Sequence, residues 1–71
     1  MNEGISIQDN DVVVTKVVNQ FWVWQQIGES RKRLDGPFAD RAEAESRAKE
    51  LANNIGSDPW FETESAIATL L

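Results

Sequence analysis

Residues 20–26 read QFWVWQQ, and this stretch decides how the rest of the chain is interpreted. Side chains alternate between the two sides of a β-strand, so Phe21 and Val23 point to one side while Trp22 and Trp24 point to the other. Both sides of such a strand are strongly hydrophobic. The sequence therefore predicts a sheet with two apolar faces, and one helix is not enough to cover both.

The segments around this stretch are also predicted to be strands. β-Branched and aromatic residues favour strands at residues 12–18, 21–27 and 30–34. Apolar and polar residues alternate at positions 5–7, which predicts a short fourth strand. Two-residue turns at Asn19-Gln20 and Gly28-Glu29 join the three main strands, and glycine suits the second turn because it adopts positive φ without strain. The prediction is a three- or four-stranded antiparallel meander.

These turns fix which residues share a face of the sheet, because directly opposed residues lie on the same side. The predicted core face collects Val12, Val14, Val18, Phe21, Val23, Ile27 and Leu34. The other face collects Val13, Thr15, Val17, Trp22, Trp24, Gln26, Arg31 and Arg33. On that face Trp24 lies opposite Arg33, where a cation–π contact is worth roughly 0.5–1 kcal/mol.

Two helices are predicted to follow the strands. Asp40 is an N-cap for a helix over residues 40–55, whose apolar stripe is Ala44, Ala48, Leu51, Ala52 and Ile55. Gly56 ends that helix. Asp58 and Pro59 then favour a shorter C-terminal helix over residues 59–69. The predicted fold is therefore α+β in a single domain, residues 1–71, with the long helix packed on the core face.

The composition excludes several classes of function. The chain has 71 residues, no cysteine and no histidine, and a formal net charge of −5 at pH 7. Disulfides and thiolate metal sites are thereby excluded, as is the commonest general base. No remaining pair of reactive residues has a reason to lie close together and away from water. We expect no enzyme activity, no catalytic residue, no cofactor and no metal.

The sequence also bears on location. No run of residues approaches the ~20 apolar residues that a membrane span needs. The first eleven residues, MNEGISIQDND, lack the basic and apolar blocks of a signal peptide. We expect a cytoplasmic protein that does not bind membranes, and the acidic net charge makes nucleic acid an unfavourable partner.

The tryptophan-bearing face is the predicted binding surface. Large exposed apolar patches are rare on soluble monomers, so we expect the C-terminal helix or a second copy of the chain to cover it. The predicted interface residues are Val13, Val17, Trp22, Trp24, Arg31, Arg33 and Trp60. A homodimer is expected, together with a protein partner that the sequence does not name.

Three functions fit these features. The first is a small non-enzymatic protein-binding or regulatory module that self-associates, of bacterial, phage or mobile-element type. The second is single-stranded nucleic-acid binding, with bases stacked on Trp22 and Trp24 and phosphates neutralised by Arg31 and Arg33. The third is an acidic, phage-type inhibitor of a nucleic-acid-binding machine. Its acidic residues would be Glu3, Asp9, Asp11, Glu62 and Glu64.

Three segments resemble a small bacterial domain family of unknown function. They are Trp22-Val23-Trp24, the charged run Arg31 to Arg33, and the helix start at residues 40–44. The likeness covers about half of the chain. Phe21 stands where the family usually has a glycine, and residues 57–71 are additional. Residues 36–45 also resemble the second half of the cell-wall-binding repeat domains of bacterial division proteins, whose first half has no counterpart here.

Overall fold

A computed structural model describes residues 6–63 and 67–70 and shows a five-stranded mixed sheet with one helix packed against it. The elements are β1 (Val12–Val17), β2 (Gln20–Ile27), β3 (Ser30–Phe38), α1 (Arg41–Ile55), β4 (Pro59–Glu62) and β5 (Ile67–Thr69). Their order across the sheet is β3-β2-β1-β4-β5. The α+β class is confirmed. No helix in the described part of the chain is long and apolar enough to cross a membrane.

The predicted C-terminal helix is wrong, because its described residues form strands. β4 pairs with β1 in parallel, from Val12 beside Pro59 to Thr15 beside Glu62, and β5 pairs antiparallel with β4. The sheet is therefore mixed and is not a pure meander. Local signals at residues 58 and 59 favoured a helix, but β1 needed a second neighbour for its backbone N–H and C=O groups. Pairing with β4 meets that need.

The predicted short strand at residues 5–7 does not form in the part that can be compared. Residue 5 lies outside the described residues, and residues 6 and 7 are not in a strand. β1 to β3 pair antiparallel in sequence order, but they are part of a five-stranded mixed sheet, so the predicted three- or four-stranded meander is not confirmed.

The turn between β1 and β2 lies one residue earlier than predicted. Its two central residues are Val18 and Asn19, and Val18 has a φ of 59°. Positive φ is disfavoured for a β-branched residue, so local rules pointed to the wrong turn. The observed register puts Val14 opposite Val23, and both are fully buried. Because the turn lies one residue earlier, each β1 residue pairs with a β2 residue two positions away from its predicted partner. Side chains alternate along a strand, so paired strand residues stay on the face that was predicted for them.

β3 is longer than predicted and continues through Gly36 and Pro37 to Phe38. The turn at Gly28-Glu29 is confirmed by Ile27 opposite Ser30, and Trp24 lies opposite Arg33 as predicted. Further along, irregular pairing puts Val23 opposite Asp35 rather than Leu34. Proline is tolerated in edge strands, and β3 lies at the edge of the sheet.

The core lies between α1 and the predicted core face of the sheet. Asp40 caps the helix by accepting a hydrogen bond from the Ala42 N–H at 3.0 Å, and Gly56 ends it with a φ of 72°. Small alanine side chains allow the helix to lie close to the strands. Ile55, the last residue of the predicted apolar stripe, is exposed. The buried cluster is Val12, Val14, Phe21, Val23, Ala44, Ala48, Ala52, Phe61 and Leu70.

A salt bridge joins the helix to the edge strand β3. The Arg47 Nε lies 2.8 Å from Asp35 Oδ2, and the Gly36 N–H donates to Asp35 Oδ1 at 2.8 Å. The Gly36 N–H and then the Arg47 guanidinium lower the pKa of the Asp35 carboxyl below its usual value. A group whose pKa is lower in the folded state stabilises the fold above its unfolded pKa, and this contribution is lost as the pH falls through the folded pKa.

Asp35→Asn is therefore expected to reduce stability at pH 7 and to have no such effect well below pH ~4, where both proteins are uncharged at this position. Urea unfolding followed by tryptophan fluorescence at pH 7 and at low pH measures the difference. Glu50→Gln is the matched control, since Glu50 contacts the same Arg47 from a more exposed position on the helix. A stability difference for Asp35→Asn that does not depend on pH would contradict this account.

Candidate functional site

The candidate site is the face of the sheet opposite α1, which we call the open face. By the strand registers it carries Val13, Thr15, Val17, Trp22, Trp24, Gln26, Arg31, Arg33, Trp60, Glu62 and Ile67. Asp11, directly before β1, joins this face through its hydrogen bond with Trp60. Among the described elements only strands contribute to it, because α1 packs on the other side. The predicted division of the tryptophans and arginines from the core is therefore confirmed.

The centre of the open face is a row of three side chains across β2, β1 and β4. Val13 lies between Trp24 and Trp60, since it is opposite both in the registers of its two neighbouring strands. Val13 is completely buried, and Trp60 is 5% exposed. The indole N–H of Trp24 donates to Thr15 Oγ1 at 2.8 Å. These residues form a small second core on a face that no described helix covers.

A bidentate salt bridge crosses this row. Arg31 Nη1 and Nη2 lie 2.6 and 3.1 Å from the two carboxylate oxygens of Glu62, and Arg31 Nε donates to Gln26 Oε1 at 2.8 Å. Arg31 is on β3 and Glu62 on β4, with β2 and β1 between them. In a flat sheet those strands would be about 14 Å apart. The contact therefore requires the sheet to curl towards the open face, and it helps to exclude water from Val13.

Trp22 and Arg33 form the more accessible part of the open face. The Arg33 guanidinium lies 4.9 Å from the centre of the Trp22 ring, so the predicted cation–π contact is made with Trp22 instead of Trp24. Arg33 is directly opposite Trp24, but its guanidinium contacts the ring of Trp22 on the same face. Trp22 is half-buried, and its indole N–H has no acceptor among the residues that the structure describes.

The backbone of Gly36 packs closely against the edge of the Trp22 ring. Its φ is 120°, and a Cβ at this position would lie 3.0 Å from Trp22 Cε3 and 3.1 Å from the Phe21 carbonyl oxygen. Only glycine therefore allows β3 to approach this closely. The third strand was predicted to end at residue 34, although an isolated glycine in a strand is itself a sign of close approach.

Asp11 is the second residue whose role the sequence analysis missed. Its side chain is buried and accepts hydrogen bonds from Trp60 Nε1 at 2.7 Å, the Asp58 N–H at 3.1 Å and the Gln8 N–H at 2.9 Å. The carboxylate therefore ties the start of β1 to the start of β4 and to the preceding loop. Asp11 is one of the acids of the predicted inhibitor surface, but its burial leaves it little surface for a partner.

The structure separates the predicted interface residues into two groups. Val13 and Trp60 are buried within the chain, and Arg31 and Trp24 are held by hydrogen bonds on the open face. The others cluster where β1 approaches its turn: Val17 is 51% exposed, and Trp22 and Arg33 stack on each other. Ile67, which was not predicted, is 40% exposed on the same face, but it lies on β5, separated from Trp22 in the registers by Thr15 and Glu62. We call Val17, Trp22 and Arg33 the hairpin-end patch.

The acidic residues of the predicted inhibitor surface are used differently from that prediction. Glu62 is paired with Arg31, and Asp9 accepts a hydrogen bond from the Gly28 N–H at 2.7 Å. Glu3 and Glu64 lie outside the described residues. The described acids of this set therefore hold the chain's own structure, and they do not form a continuous negative surface.

Comparisons with known proteins add no relative to this description. No protein-family model matches the chain, and searches of curated proteins and of solved structures also found no match. The resemblance to a small bacterial family therefore stays a prediction. Within the described residues, no group of three or more Asp or Glu side chains is placed to hold a metal ion.

Gly36→Ala is expected to lower the free energy of unfolding by about 3 kcal/mol, because the new Cβ adds both backbone strain and overlap with Trp22. Gly28→Ala is the control: Gly28 also has positive φ, at 60°, but a Cβ there meets nothing within 4 Å. That variant should lose only about 1 kcal/mol. Equal losses in the two variants, measured by urea unfolding, would show that the contact with Trp22 is unimportant.

Asp11→Ala is expected to lower the free energy of unfolding by about 2–4 kcal/mol, because a buried indole N–H and two backbone N–H groups lose a charged acceptor. Asp9→Ala removes a carboxylate from an exposed position in the same loop and should have a much smaller effect. Combining Asp11→Ala with Trp60→Phe tests the contact directly. Strictly additive losses would argue against the hydrogen bond, since coupled partners give non-additive losses.

Proposed function

We propose that this chain is a small non-enzymatic protein-binding module that self-associates through the hairpin-end patch. The observation that carries the proposal is the combination of a stacked Trp22–Arg33 pair with the exposed side chain of Val17, on a face where Ile67 of β5 is also exposed. Tryptophan and arginine are the residues most enriched among those that dominate binding energy at protein interfaces. The proposed partner is a second copy of the chain, as expected from the apolar character of this face.

The geometry supports the patch, rather than the whole open face, as the contact surface. The row of Trp24, Val13 and Trp60 is already satisfied by packing and hydrogen bonds. At the patch, by contrast, the Trp22 N–H has no acceptor among the described residues, and the Val17 side chain faces outward. A partner that covers the patch gains apolar burial from Val17 and a hydrogen bond from Trp22, and one that extends across the face to β5 also covers Ile67.

A bacterial, phage or mobile-element source and a cytoplasmic location belong to the same proposal. They rest on the composition and on the absence of apolar segments from the sequence, and a regulatory role for the module rests on its small size. The inhibitor function is less well supported, because Asp11 and Glu62 are occupied by contacts within the chain.

Single-stranded nucleic-acid binding is a second candidate, favoured by one observation. Arg33 stacked on Trp22 places a cation beside an aromatic surface on an open sheet, an arrangement that can stack a base and neutralise a phosphate. The charge of the open face opposes this function, because Arg31 is neutralised by Glu62 and Asp11 lies on the same face. Protein binding therefore fits the geometry better.

The double variant Val17→Asp/Ile67→Asp is expected to convert a dimer to a monomer, because it places charges in the apolar part of the interface. Light scattering coupled to size-exclusion chromatography measures the mass across a range of protein concentrations. The matched control is Ile27→Asp/Ile55→Asp, which alters two isoleucines that are 46% and 48% exposed away from the patch.

Two outcomes would overturn self-association: a wild-type protein that is monomeric at all concentrations, or equal loss of the dimer in both double variants. Titration of a single-stranded oligonucleotide at low salt separates the second candidate. Tryptophan quenching that is abolished by Arg33→Ala would favour nucleic acid, and its absence would favour the protein-binding module.

A further inference from the structure

A cleft lies on the helix side of the sheet, away from the open face. It has a volume of about 280 Å³ and is lined by Lys49, Ala52, Asn53, Ser57, Pro59 and Leu70. Ala52, Pro59 and Leu70 are buried and give the cleft an apolar wall, while the polar residues come from the second half of α1 and the loop after it. Apolar walls with a few convergent polar groups are typical of small-molecule sites.

The Ser57 hydroxyl is the first sign of a ligand. Its Oγ is buried and has no hydrogen-bond partner among the described residues, and Ser57 lines the cleft. The Ser57 backbone N–H, by contrast, is satisfied by the Ala52 carbonyl at 2.9 Å. A buried hydroxyl without a partner is unfavourable and calls for an explanation, such as a polar group supplied from outside the chain.

Lys49 is the second sign. Its nearest acidic neighbours on the helix are committed elsewhere: Glu45 pairs with Arg41, and Glu50 pairs with Arg47. Lys49 forms no ion pair with any carboxylate in residues 6–63 and 67–70. An uncommitted ammonium at an apolar cleft favours a small anionic ligand locally, even though the chain as a whole carries a net charge of −5.

We propose that this cleft binds a short-chain carboxylate. The carboxylate accepts hydrogen bonds from the Lys49 ammonium and the Ser57 hydroxyl, and the hydrocarbon chain packs against Ala52, Pro59 and Leu70. One ligand thereby explains three features of the cleft: its apolar wall, its buried hydroxyl and its unpaired cation. The site is independent of the hairpin-end patch, because Pro59 and Leu70 lie on the helix side of the sheet.

Hexanoate is the probe, titrated into the ¹⁵N-labelled full chain while amide chemical shifts are recorded. Saturable shifts are expected at residues lining the cleft. Hexan-1-ol has the same hydrocarbon chain without the charge and should bind about tenfold more weakly, as expected for the loss of one charge-assisted hydrogen bond. Acetate, which lacks most of the apolar chain, should also bind far more weakly than hexanoate.

Variants assign the effect to the named residues. Lys49→Met should weaken hexanoate binding about tenfold, and Ser57→Ala should weaken it severalfold. Lys32→Met removes the same charge from an exposed position on β3 and should leave the affinity unchanged. The proposal is overturned if hexanoate gives no saturable shifts at the cleft. It is also overturned if Lys49→Met and Lys32→Met have the same effect, or if hexan-1-ol binds as tightly as hexanoate.

Discussion

The Asp11 carboxylate is the constraint on which the rest of the structure depends. It accepts a side-chain hydrogen bond from Trp60 and backbone hydrogen bonds from Asp58 and Gln8, so one buried acid fixes the start of β1 beside the start of β4. That alignment makes the sheet mixed, and it places Trp60 beside Val13. The parallel pairing of β1 with β4 consists of only four residue pairs, which is a short contact for strands so distant in sequence. The hydrogen bonds of Asp11 add to this short contact.

The sheet solves the problem of two apolar faces in two different ways. One face is covered by α1, whose alanines allow close packing. The other face is covered largely by its own side chains, with Trp24 and Trp60 on either side of Val13 and the Arg31–Glu62 pair crossing above them. A partly exposed ion pair contributes little to stability by itself. Its effect here comes from geometry, since it holds the curvature that closes the face around Val13.

The sequence predicted the features that depend on periodicity. The three main strands, the long helix with its Asp40 cap, and the placement of Trp22 and Trp24 opposite the face of Phe21 and Val23 were predicted correctly. Val18 and Ile27, which were assigned to the core face, are instead 81% and 46% exposed. The errors lie where tertiary contacts outweigh local preference. Residues 59–62 carry helix-start signals but pair with β1, and Val18 occupies a turn position that local rules assign to other residues. The cleft residues could not be grouped in advance, because Lys49 and Leu70 meet only once β4 is in place.

The unfavourable turn at Val18 also has a consequence for how the chain reaches its fold. A hairpin with a poor turn is weakly stable on its own, and its register is easily lost before other contacts form. The buried hydrogen bond from Trp60 to Asp11, 49 residues apart in sequence, ties β1 to β4 on its other side. We therefore expect the first two strands to gain much of their stability only when β4 pairs with β1.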